Sequence, residues 1–187
     1  MARKILHVDL DAFFCAVEEK FDPSLKGKAF ATGGSPDGHG VVTSCSYAAR
    51  KYGIHSAMPM RQALRKYPQL ITVRSHYSDY ISLSRQVIDI CKQLTPLVEQ
   101  ISIDEAFLDV TDLPHDARTI ALDLQMKIYS SLDLPCSIGV AANKLMAKMA
   151  TNIGKSRHHE SCSPMAILEI PPGQEKRFLA PLPIDEM

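Results

Sequence analysis

Apolar residues recur along the chain with two different spacings, which predict alternating strands and helices. Between Lys4 and Leu10 the apolar positions form a short continuous run, as in a buried strand. From Tyr77 to Leu94 they recur at helical spacing until Pro96 stops the pattern, which predicts the longest helix of the chain. The same criteria predict further helices at 12–20, 46–52, 59–67, 117–132, 143–153 and 172–179. They predict further strands at 28–32, 41–43, 70–73, 98–103, 106–110, 136–141 and 165–169.

The order of these elements indicates an α+β fold. From position 98 onward the order is strand, strand, helix and strand, and the N-terminal strand adds to the same group. This order predicts a mixed sheet covered by helices on one face. The segment 11–75 interrupts that unit, and we expect it to form a small α/β subdomain. Asp11 is the expected N-cap of the first helix.

The composition is typical of a globular protein with a sizeable core. Hydrophobic residues make up 45% of the 187 residues and charged residues 22%, which excludes a disordered tail or a coiled coil. No apolar run reaches the roughly 18 residues of a membrane helix, and the N-terminal run is too short for a signal peptide. The cysteines lack any paired spacing, so we expect a reducing, cytoplasmic setting rather than a disulfide framework or a zinc site. They are Cys15, Cys45, Cys91, Cys136 and Cys162.

Charge is balanced over the whole chain but divided along it. Residues 20–75 hold nine basic and two acidic residues, whereas residues 76–133 hold four basic and ten acidic ones. A basic segment followed by an acidic one suits a site that combines an anionic substrate with a cation. Solvated faces of ordinary helices would give the same counts, so the charge alone leaves both interpretations open.

Three carboxylates are predicted at the ends of strands. Asp9 lies near the end of the first strand, and Asp104 and Glu105 join the two strands that follow position 98. If these strands are neighbours, the three carboxylates meet at one edge, where they repel one another unless a cation lies between them. Oxygen ligands of this kind select Mg²⁺ or Mn²⁺. Acidic residues at a hairpin tip are also ordinary turn residues, but the flanking positions here are too apolar for an exposed loop.

Two groups of residues are candidates for binding phosphate. Tyr47 and Arg50 lie three residues apart on a short predicted helix, with Ser44 just upstream, and an Arg side chain binds phosphate bidentately. A surface Arg packed over a Tyr ring is the simpler alternative. On a later helix a lysine face comprises Lys144, Lys148 and Lys155, which a solvent-exposed face would also produce. We expect Gly154 to end that helix, which would free Lys155 to reach a ligand.

Six segments of the chain resemble the Y-family translesion DNA polymerases, in family order. They are 7–19 (HVDLDAFFCAVEE), 22–28 (DPSLKGK), 42–53 (VTSCSYAARKYG), 57–60 (AMPM), 102–109 (SIDEAFLD) and 137–150 (SIGVAANKLMAKMA). The resemblance is to the DNA polymerase IV (DinB) branch. It implies a ferredoxin-like palm sheet at 1–10 and 76–165, fingers at 11–75, and the start of a thumb at 166–187, where the sequence stops as an N-terminal catalytic fragment.

The resemblance also implies roles for individual residues. Asp9, Asp104 and Glu105, with the backbone carbonyl of Leu10, match the ligands of two Mg²⁺ ions, for which Mn²⁺ is a possible substitute. Phe14 matches the steric gate against a ribose 2′-hydroxyl, and the backbone amides of Phe13 and Phe14 would meet the triphosphate. The residues that match the remaining nucleotide contacts are Ser44, Tyr47, Arg50 and Lys155. Small residues above the nascent base pair are matched by Thr43 and Ala57.

The chain departs from the family after Lys155, where Ser156, Arg157 and His158 replace a Pro-Asn-Gly-like sequence. The partners implied are primer–template DNA, deoxynucleoside triphosphates and, through a region absent here, a sliding clamp. We expect a monomer that does not associate with membranes.

The function implied is template-directed DNA synthesis with low-fidelity bypass of damage, by two-metal phosphoryl transfer to a primer 3′-hydroxyl. The alternative is a non-catalytic relative that serves as a binding component of a DNA-repair assembly. Such a protein should have lost some of the carboxylates, and all three are present. A nucleotide cyclase would use similar metals, but Phe14 would oppose its ribose 2′-hydroxyl.

Overall fold

The computed structural model describes residues 2–157 and 163–183, which divide into two compact units. The first unit contains residues 2–10, 84–157 and 164–183. The second contains residues 11–83 and Ser163. The boundary near position 83 falls within one long helix, α4 (Tyr77–Leu94), whereas the sequence prediction placed it at 75/76.

A five-stranded sheet forms the centre of the first unit. Its strands are β1 (Ile5–Leu10), β5 (Val98–Gln100), β6 (Glu105–Asp109), β7 (Cys136–Ala141) and β8 (Ile167–Glu169), in the order β5-β6-β1-β7-β8. Strand β1 is antiparallel to both β6 and β7, while β7 and β8 are parallel. The N-terminal strand thus lies in the middle of the sheet, which confirms the predicted mixed α+β class.

Helices cover this sheet on both faces rather than on one. Strand β7 is buried at every position, so neither of its faces is open to solvent. Helix α6 (Lys144–Ser156) packs on the face that carries Ile5 and Phe107, and α5 (Ala117–Leu132) also packs on β7. A short helix, α7 (Glu175–Leu179), follows β8. Asn143 caps α6 by accepting a hydrogen bond from the Met146 amide at 2.9 Å.

Gly139 allows α6 to approach β7 closely. A Cβ atom at this position would lie 2.0 Å from the carbonyl oxygen of Ala147 and 2.6 Å from the amide of Thr151. The contact therefore requires glycine because of space, since a methyl group would overlap the helix backbone.

The second unit has its own sheet and core. Strands β2 (Phe30–Gly33), β3 (Val42–Cys45) and β4 (Ile71–Arg74) form a sheet of order β3-β2-β4, in which β2 is antiparallel to β3 and parallel to β4. Its helices are α1 (Phe13–Phe21), α2 (Tyr47–Arg50), α3 (Met60–Lys66) and the first part of α4. The core cluster between strands and helices includes Ala31, Val42, Ile54, Met58 and Met60.

Several local predictions differ from the structure. Asp11 is not the N-cap of α1: the cap position is Ala12, in the left-handed region, and no side chain caps that helix in the structure described. Strand β5 ends at Gln100 rather than at 103. Gly154 does not end α6, which continues to Ser156. The helices at 77–94 and 117–132 and the strand at 136–141 have the predicted bounds.

The remaining sequence expectations concern membranes and cysteines. No helix within the described ranges is long and apolar enough to cross a membrane. Within those ranges the cysteine side chains are buried and form no disulfide; they are Cys15, Cys45, Cys91 and Cys136. His158, Cys162 and the predicted thumb residues 184–187 lie outside the described residues.

Candidate active site

The structure brings the three predicted carboxylates to one edge of the first unit's sheet. Asp9 near the end of β1 lies directly opposite Glu105, the first residue of β6. Asp104 precedes that strand, and its carbonyl oxygen accepts a hydrogen bond from the Leu10 amide at 3.0 Å. Because this bond extends the β1–β6 ladder by one step, Leu10 is held beside the same carboxylates.

A serine shapes the turn that presents Asp104 and Glu105. The Ser102 hydroxyl donates to Asp104 Oδ1 at 2.5 Å and accepts hydrogen bonds from the amides of Asp104 and Glu105, at 3.3 and 3.1 Å. A hydroxyl that bonds its own backbone in this way stabilises a turn. The turn interrupts the predicted strand 98–103, which explains why β5 is short.

The lysine face of α6 is paired with acidic residues rather than left to solvent. Lys155 Nζ lies 2.5 Å from Asp9 Oδ1, and Lys148 Nζ lies 2.7 Å from Glu105 Oε2. The third lysine, Lys144, pairs with Glu99 of β5. Helix α6 lies across the face of the sheet that carries these carboxylates. Its three lysines therefore each reach a different strand: β1, β6 and β5.

These lysines act on the pKa values of the two opposed carboxylates. Burial raises the pKa of Asp9 to about 6, and the charge of Lys155 opposes that rise. Burial has the same tendency at Glu105, but the hydrogen bond and charge of Lys148 outweigh it and hold the pKa of Glu105 below its usual value. Both carboxylates are therefore predominantly ionised at neutral pH, and each is neutralised by a lysine.

His7 lies under the carboxylate edge as an uncharged group. Its ring is fully buried, and burial lowers its pKa, so its 3.7 Å approach to Glu105 is not an ion pair at neutral pH. His7 Nδ1 lies 2.8 Å from the Thr151 hydroxyl, within hydrogen-bond distance, and that hydroxyl also lies 3.1 Å from the carbonyl oxygens of His7 and Ala147. The other ring nitrogen, Nε2, is buried and has no partner within hydrogen-bond distance among the described residues.

The carboxylate edge has the chemistry of a Mg²⁺ site, although the side chains are not gathered as one. Across residues 2–157 and 163–183, no group of three or more His, Cys, Asp or Glu side chains is placed to bind a metal ion. The donor atoms nevertheless are hard oxygens, and the side chains of Asp9 and Glu105 are 15% and 21% exposed, within reach of a hydrated cation. A divalent cation would replace the ammonium charges that now neutralise this edge, so the residues present fit the ion.

In the second unit, Phe14 is held by aromatic stacking. Its ring lies parallel to that of Tyr80, with centroids 4.3 Å apart and planes 11° apart, and it is half-buried. Tyr80 is itself buried and donates a hydrogen bond to Glu18, whose carboxylate also lies 3.0 Å from His76 Nδ1. This network fixes the ring on which Phe14 rests.

Phe13 and Phe14 begin α1, so their amides belong to the uncapped first turn of that helix. The first amides of a helix have no partner within it and attract anions. The Ala12 side chain cannot cap them. Their position is compatible with the predicted contact to a triphosphate.

The predicted phosphate-binding residues of the second unit lie at the junction of β3 and α2. Ser46 precedes α2 and caps it by accepting a hydrogen bond from the Ala49 amide at 3.2 Å. The Arg50 guanidinium lies 4.4 Å above the centroid of the Tyr47 ring, which is the packing that the simpler alternative predicted. Arg50 remains exposed, whereas Ser44 and Tyr47 are largely buried. The guanidinium is thus positioned by the ring and open to an anion.

Thr43 and Ala57 occupy neighbouring exposed positions. The Ala57 amide donates to the carbonyl oxygen of Val42 at 2.8 Å, next to Thr43 in β3. Ala57 adopts the left-handed region, with a φ of 66°, which is uncommon for a residue with a side chain. Thr43 and Ala57 are therefore both exposed, and their backbones lie close together.

Sequence reasoning missed three residues of the carboxylate edge: His7, Ser102 and Lys148. His7 lies two residues before Asp9 on β1, and side chains at that spacing on a strand project from the same face. Ser102 lies two residues before Asp104 within the turn, where a serine hydroxyl can bond nearby backbone amides. Lys148 was identified only as one of a lysine face. The sequence held no signal for its partner, because the register of α6 on the sheet is set by packing.

Known proteins resemble this chain in sequence over nearly its whole length. The chain matches the impB/mucB/samB family over residues 8–152. It is 44% identical over 188 residues to DNA polymerase IV of Pseudomonas aeruginosa (strain UCBPP-PA14), covering 99% of this chain and 52% of that one. DNA polymerase IV of Streptococcus agalactiae serotype Ia is 42% identical over 191 residues, with coverages of 99% and 50%. The chain thus spans about half the length of these curated relatives.

Solved structures give the same result. DinB from Sulfolobus solfataricus superposes with a TM-score of 0.89 at 30% identity, covering 98% of this chain and 53% of that one. An insertion ternary complex of Dbh DNA polymerase superposes with a TM-score of 0.88 at 30% identity, with the same coverages. The family match extends over most of the chain, and the relatives share its fold. The chain therefore belongs to the impB/mucB/samB family and is a Y-family, DNA polymerase IV-like protein.

Proposed function

We propose that the chain supplies the metal-binding and nucleotide-binding parts of a template-directed DNA polymerase of the translesion type. The observation that carries this proposal is the pairing of Asp9 with Glu105 across β1 and β6, with Asp104 in the adjoining turn. On this proposal the first unit is the palm and the second unit is the fingers.

The carboxylate edge would hold two divalent metal ions, Mg²⁺ or Mn²⁺. Bound there, the ions would activate the primer 3′-hydroxyl and neutralise the triphosphate and the leaving pyrophosphate. Asp9, Asp104, Glu105 and the Leu10 carbonyl are the proposed ligands. Lys155, which pairs with Asp9 in the structure, would exchange that carboxylate for a phosphate of the incoming nucleotide.

The second unit would bind the deoxynucleoside triphosphate. Arg50 and Tyr47 would hold its phosphates, and Ser44 would add a hydroxyl. The uncapped amides at Phe13 and Phe14 would donate hydrogen bonds to the phosphates at the start of α1. These groups would orient the reacting phosphate and stabilise its charge without forming a covalent intermediate. Orientation and charge stabilisation are sufficient for phosphoryl transfer.

Two further features suit the selection of deoxynucleotides and the bypass of damaged templates. Phe14, stacked on Tyr80, would exclude a ribose 2′-hydroxyl, so that the enzyme selects deoxynucleotides. Thr43 and Ala57 present small side chains at an exposed surface, and on this proposal they leave room above the nascent base pair. Primer–template DNA and a sliding clamp are the proposed partners of the longer protein.

The experiment that tests the proposal is primer extension with Mg²⁺. The chain would be joined to the C-terminal half of the Pseudomonas aeruginosa relative, since it spans about half of that protein. We expect Asp104→Ala to lower nucleotide incorporation by orders of magnitude, because the exposed turn contributes little to folding but holds the metal charge. The matched control is Asp112→Ala, an exposed acidic residue of the same unit, which should extend primers normally.

Circular dichroism and thermal unfolding would show that both variants fold. Near-normal extension by Asp104→Ala would contradict the mechanism. If the unsubstituted fusion folds, binds primer–template and fails to extend it, the alternative of a non-catalytic component of a repair assembly would be favoured instead.

A further inference from the structure

The second unit contains a concave surface that has no part in the proposed polymerase site. It encloses about 340 Å³ between the end of α2 and the segment that follows α3. Two aromatic and two cationic side chains line it: Tyr52, Tyr67, Lys28 and Lys51. We call this surface the tyrosine cleft. Its volume lies at the lower end of the roughly 300–1,000 Å³ typical of small-ligand pockets.

The two tyrosines form an ordered and accessible aromatic pair. Their rings stack with centroids 4.0 Å apart and planes 16° apart. The Tyr67 hydroxyl donates to Gln69 Oε1 at 3.2 Å, which helps to fix that ring. Tyr52 is 49% exposed. A large ring that is both stacked and half exposed offers a flat apolar face without needing to rearrange.

Positive charge surrounds this pair. Lys28 and Lys51 line the cleft, and the Lys66 amine lies 3.0 Å from the position that a Cβ atom on Gly53 would occupy, next to Tyr52. Within the described part of the chain, none of these three lysines forms an ion pair with a carboxylate. The hydrogen bonds from Ser24, and after them the charge of Lys28, lower the pKa of Asp22, but no described carboxylate lies within ion-pair distance of the three lysines, so their charge can act on an anionic ligand.

The combination of an aromatic face and nearby cations matches the chemistry of single-stranded nucleic acid. A base stacks on an aromatic ring, while the phosphates on either side contact lysines. In a duplex the bases are already stacked on one another, so a double strand would gain only the phosphate contacts. A surface of this composition therefore favours unpaired bases over a duplex.

We propose that the tyrosine cleft binds single-stranded DNA, with one base stacked on Tyr52 and the adjoining phosphates on Lys28 and Lys51. This inference goes beyond the proposed polymerase activity, because the cleft includes none of the residues assigned to the metals, the triphosphate or the nascent base pair.

The 187-residue chain permits a direct test, because it contains six tyrosines and no tryptophan. Tyrosine emission is therefore visible, and a stacked base should quench it. The chain would be titrated with fluorescein-labelled oligo(dT) for anisotropy, and with unlabelled oligo(dT) for quenching, without Mg²⁺ or nucleotide. Under these conditions the outcome does not depend on polymerase activity.

We expect Tyr52→Ala to weaken oligo(dT) binding by roughly 5- to 100-fold, as stacking losses do. Tyr52→Phe keeps the ring and should retain binding. The matched control is Tyr129→Ala, which removes an exposed tyrosine from α5 and should have no effect. An oligomer of abasic sites, which has the phosphates but no bases, should bind as weakly to the unsubstituted chain as oligo(dT) binds to Tyr52→Ala.

The lysines are tested by the salt dependence of the affinity. Replacing both Lys28 and Lys51 by Gln should lower the slope of log affinity against log salt by roughly 1.4, about 0.7 for each lost phosphate contact on a single strand. Unchanged oligo(dT) binding by Tyr52→Ala, or equal affinity for the abasic oligomer, would overturn the proposal. So would duplex binding of equal strength that depends on Tyr52.

Discussion

At the scale of single residues, the position of the Phe14 ring is fixed by the Tyr80 ring on which it stacks. One face of Phe14 lies on Tyr80, which is buried and hydrogen-bonded to Glu18. Because the supporting ring is fixed at its hydroxyl, the opposite side of Phe14 forms a boundary of defined position. A residue that excludes a hydroxyl group needs this kind of support, since a mobile ring would move aside.

We expect Phe14→Val to admit ribonucleotides in the fused polymerase. The smaller side chain vacates the space of a 2′-hydroxyl, so the ratio of kcat/KM for a ribonucleotide to that for a deoxynucleotide should rise at least roughly tenfold. The measurement compares both nucleotides in the same extension assay. Phe21→Ala, at the exposed end of the same helix, is the control and should keep the original ratio. An unchanged ratio in Phe14→Val would show that Phe14 serves packing alone.

The sequence allows some residues of the site to be predicted and not others. Asp9, Asp104 and Glu105 could be placed together because strand ends gather at a sheet edge, and the register of β1 on β6 agrees. The partners of Lys148 and His7 could not be assigned, since these contacts depend on how α6 lies over the sheet. Contacts between side chains of different elements are set by tertiary packing, which cannot be predicted from the pattern of a single sequence.

At the scale of elements, α6 determines the electrostatics of the carboxylate edge. It supplies Lys148 to Glu105 and Lys155 to Asp9, and both pairs require the helix to lie close against β1 and β7. Gly139 allows that approach, because the backbone of α6 fills the space of a side chain there. A helix displaced from the strand would leave two partly buried carboxylates, Asp9 and Glu105, without the lysines that neutralise them.

We therefore expect Gly139→Ala to lower the free energy of unfolding by at least about 2 kcal/mol, since the added methyl group overlaps the backbone of Ala147. Urea denaturation measures this change. Gly38→Ala is the matched control, because a Cβ atom there would meet nothing within 4 Å. Equal stability of the two variants would mean that α6 can move away from β7 without cost.

The ends of some helices and strands are set by packing rather than by the local sequence. Gly154 was predicted to end α6, but the helix continues to Ser156. A Cβ atom at Gly154 would contact Ala166 and Leu168 at 3.3 and 3.4 Å, so the glycine serves the approach to β8 rather than a turn. Long helices with regular apolar spacing, such as Tyr77–Leu94, were predicted to the residue because their pattern is repeated over many positions.

At the scale of the whole molecule, positive charges are balanced by negative ones and give no general attraction to DNA. The net charge is zero, because the basic segment 20–75 is balanced by the acidic segment 76–133. Several lysines of the first unit are also occupied by carboxylates, among them Lys144, Lys148 and Lys155. Duplex binding draws most of its affinity from basic residues that neutralise phosphates and release counterions.

We therefore expect the 187-residue chain to bind duplex primer–template DNA weakly. At about 0.15 M salt, exposed charges are screened beyond roughly 8 Å, so scattered lysines cannot act together over a long duplex. Fluorescence anisotropy with a labelled hairpin duplex measures the affinity across a salt series, and the fusion to the C-terminal half of the Pseudomonas aeruginosa relative provides the comparison. The fusion should bind more tightly and with a steeper salt dependence, because it adds phosphate contacts. Tight duplex binding by the 187 residues alone, little changed by salt, would contradict this account of the charges.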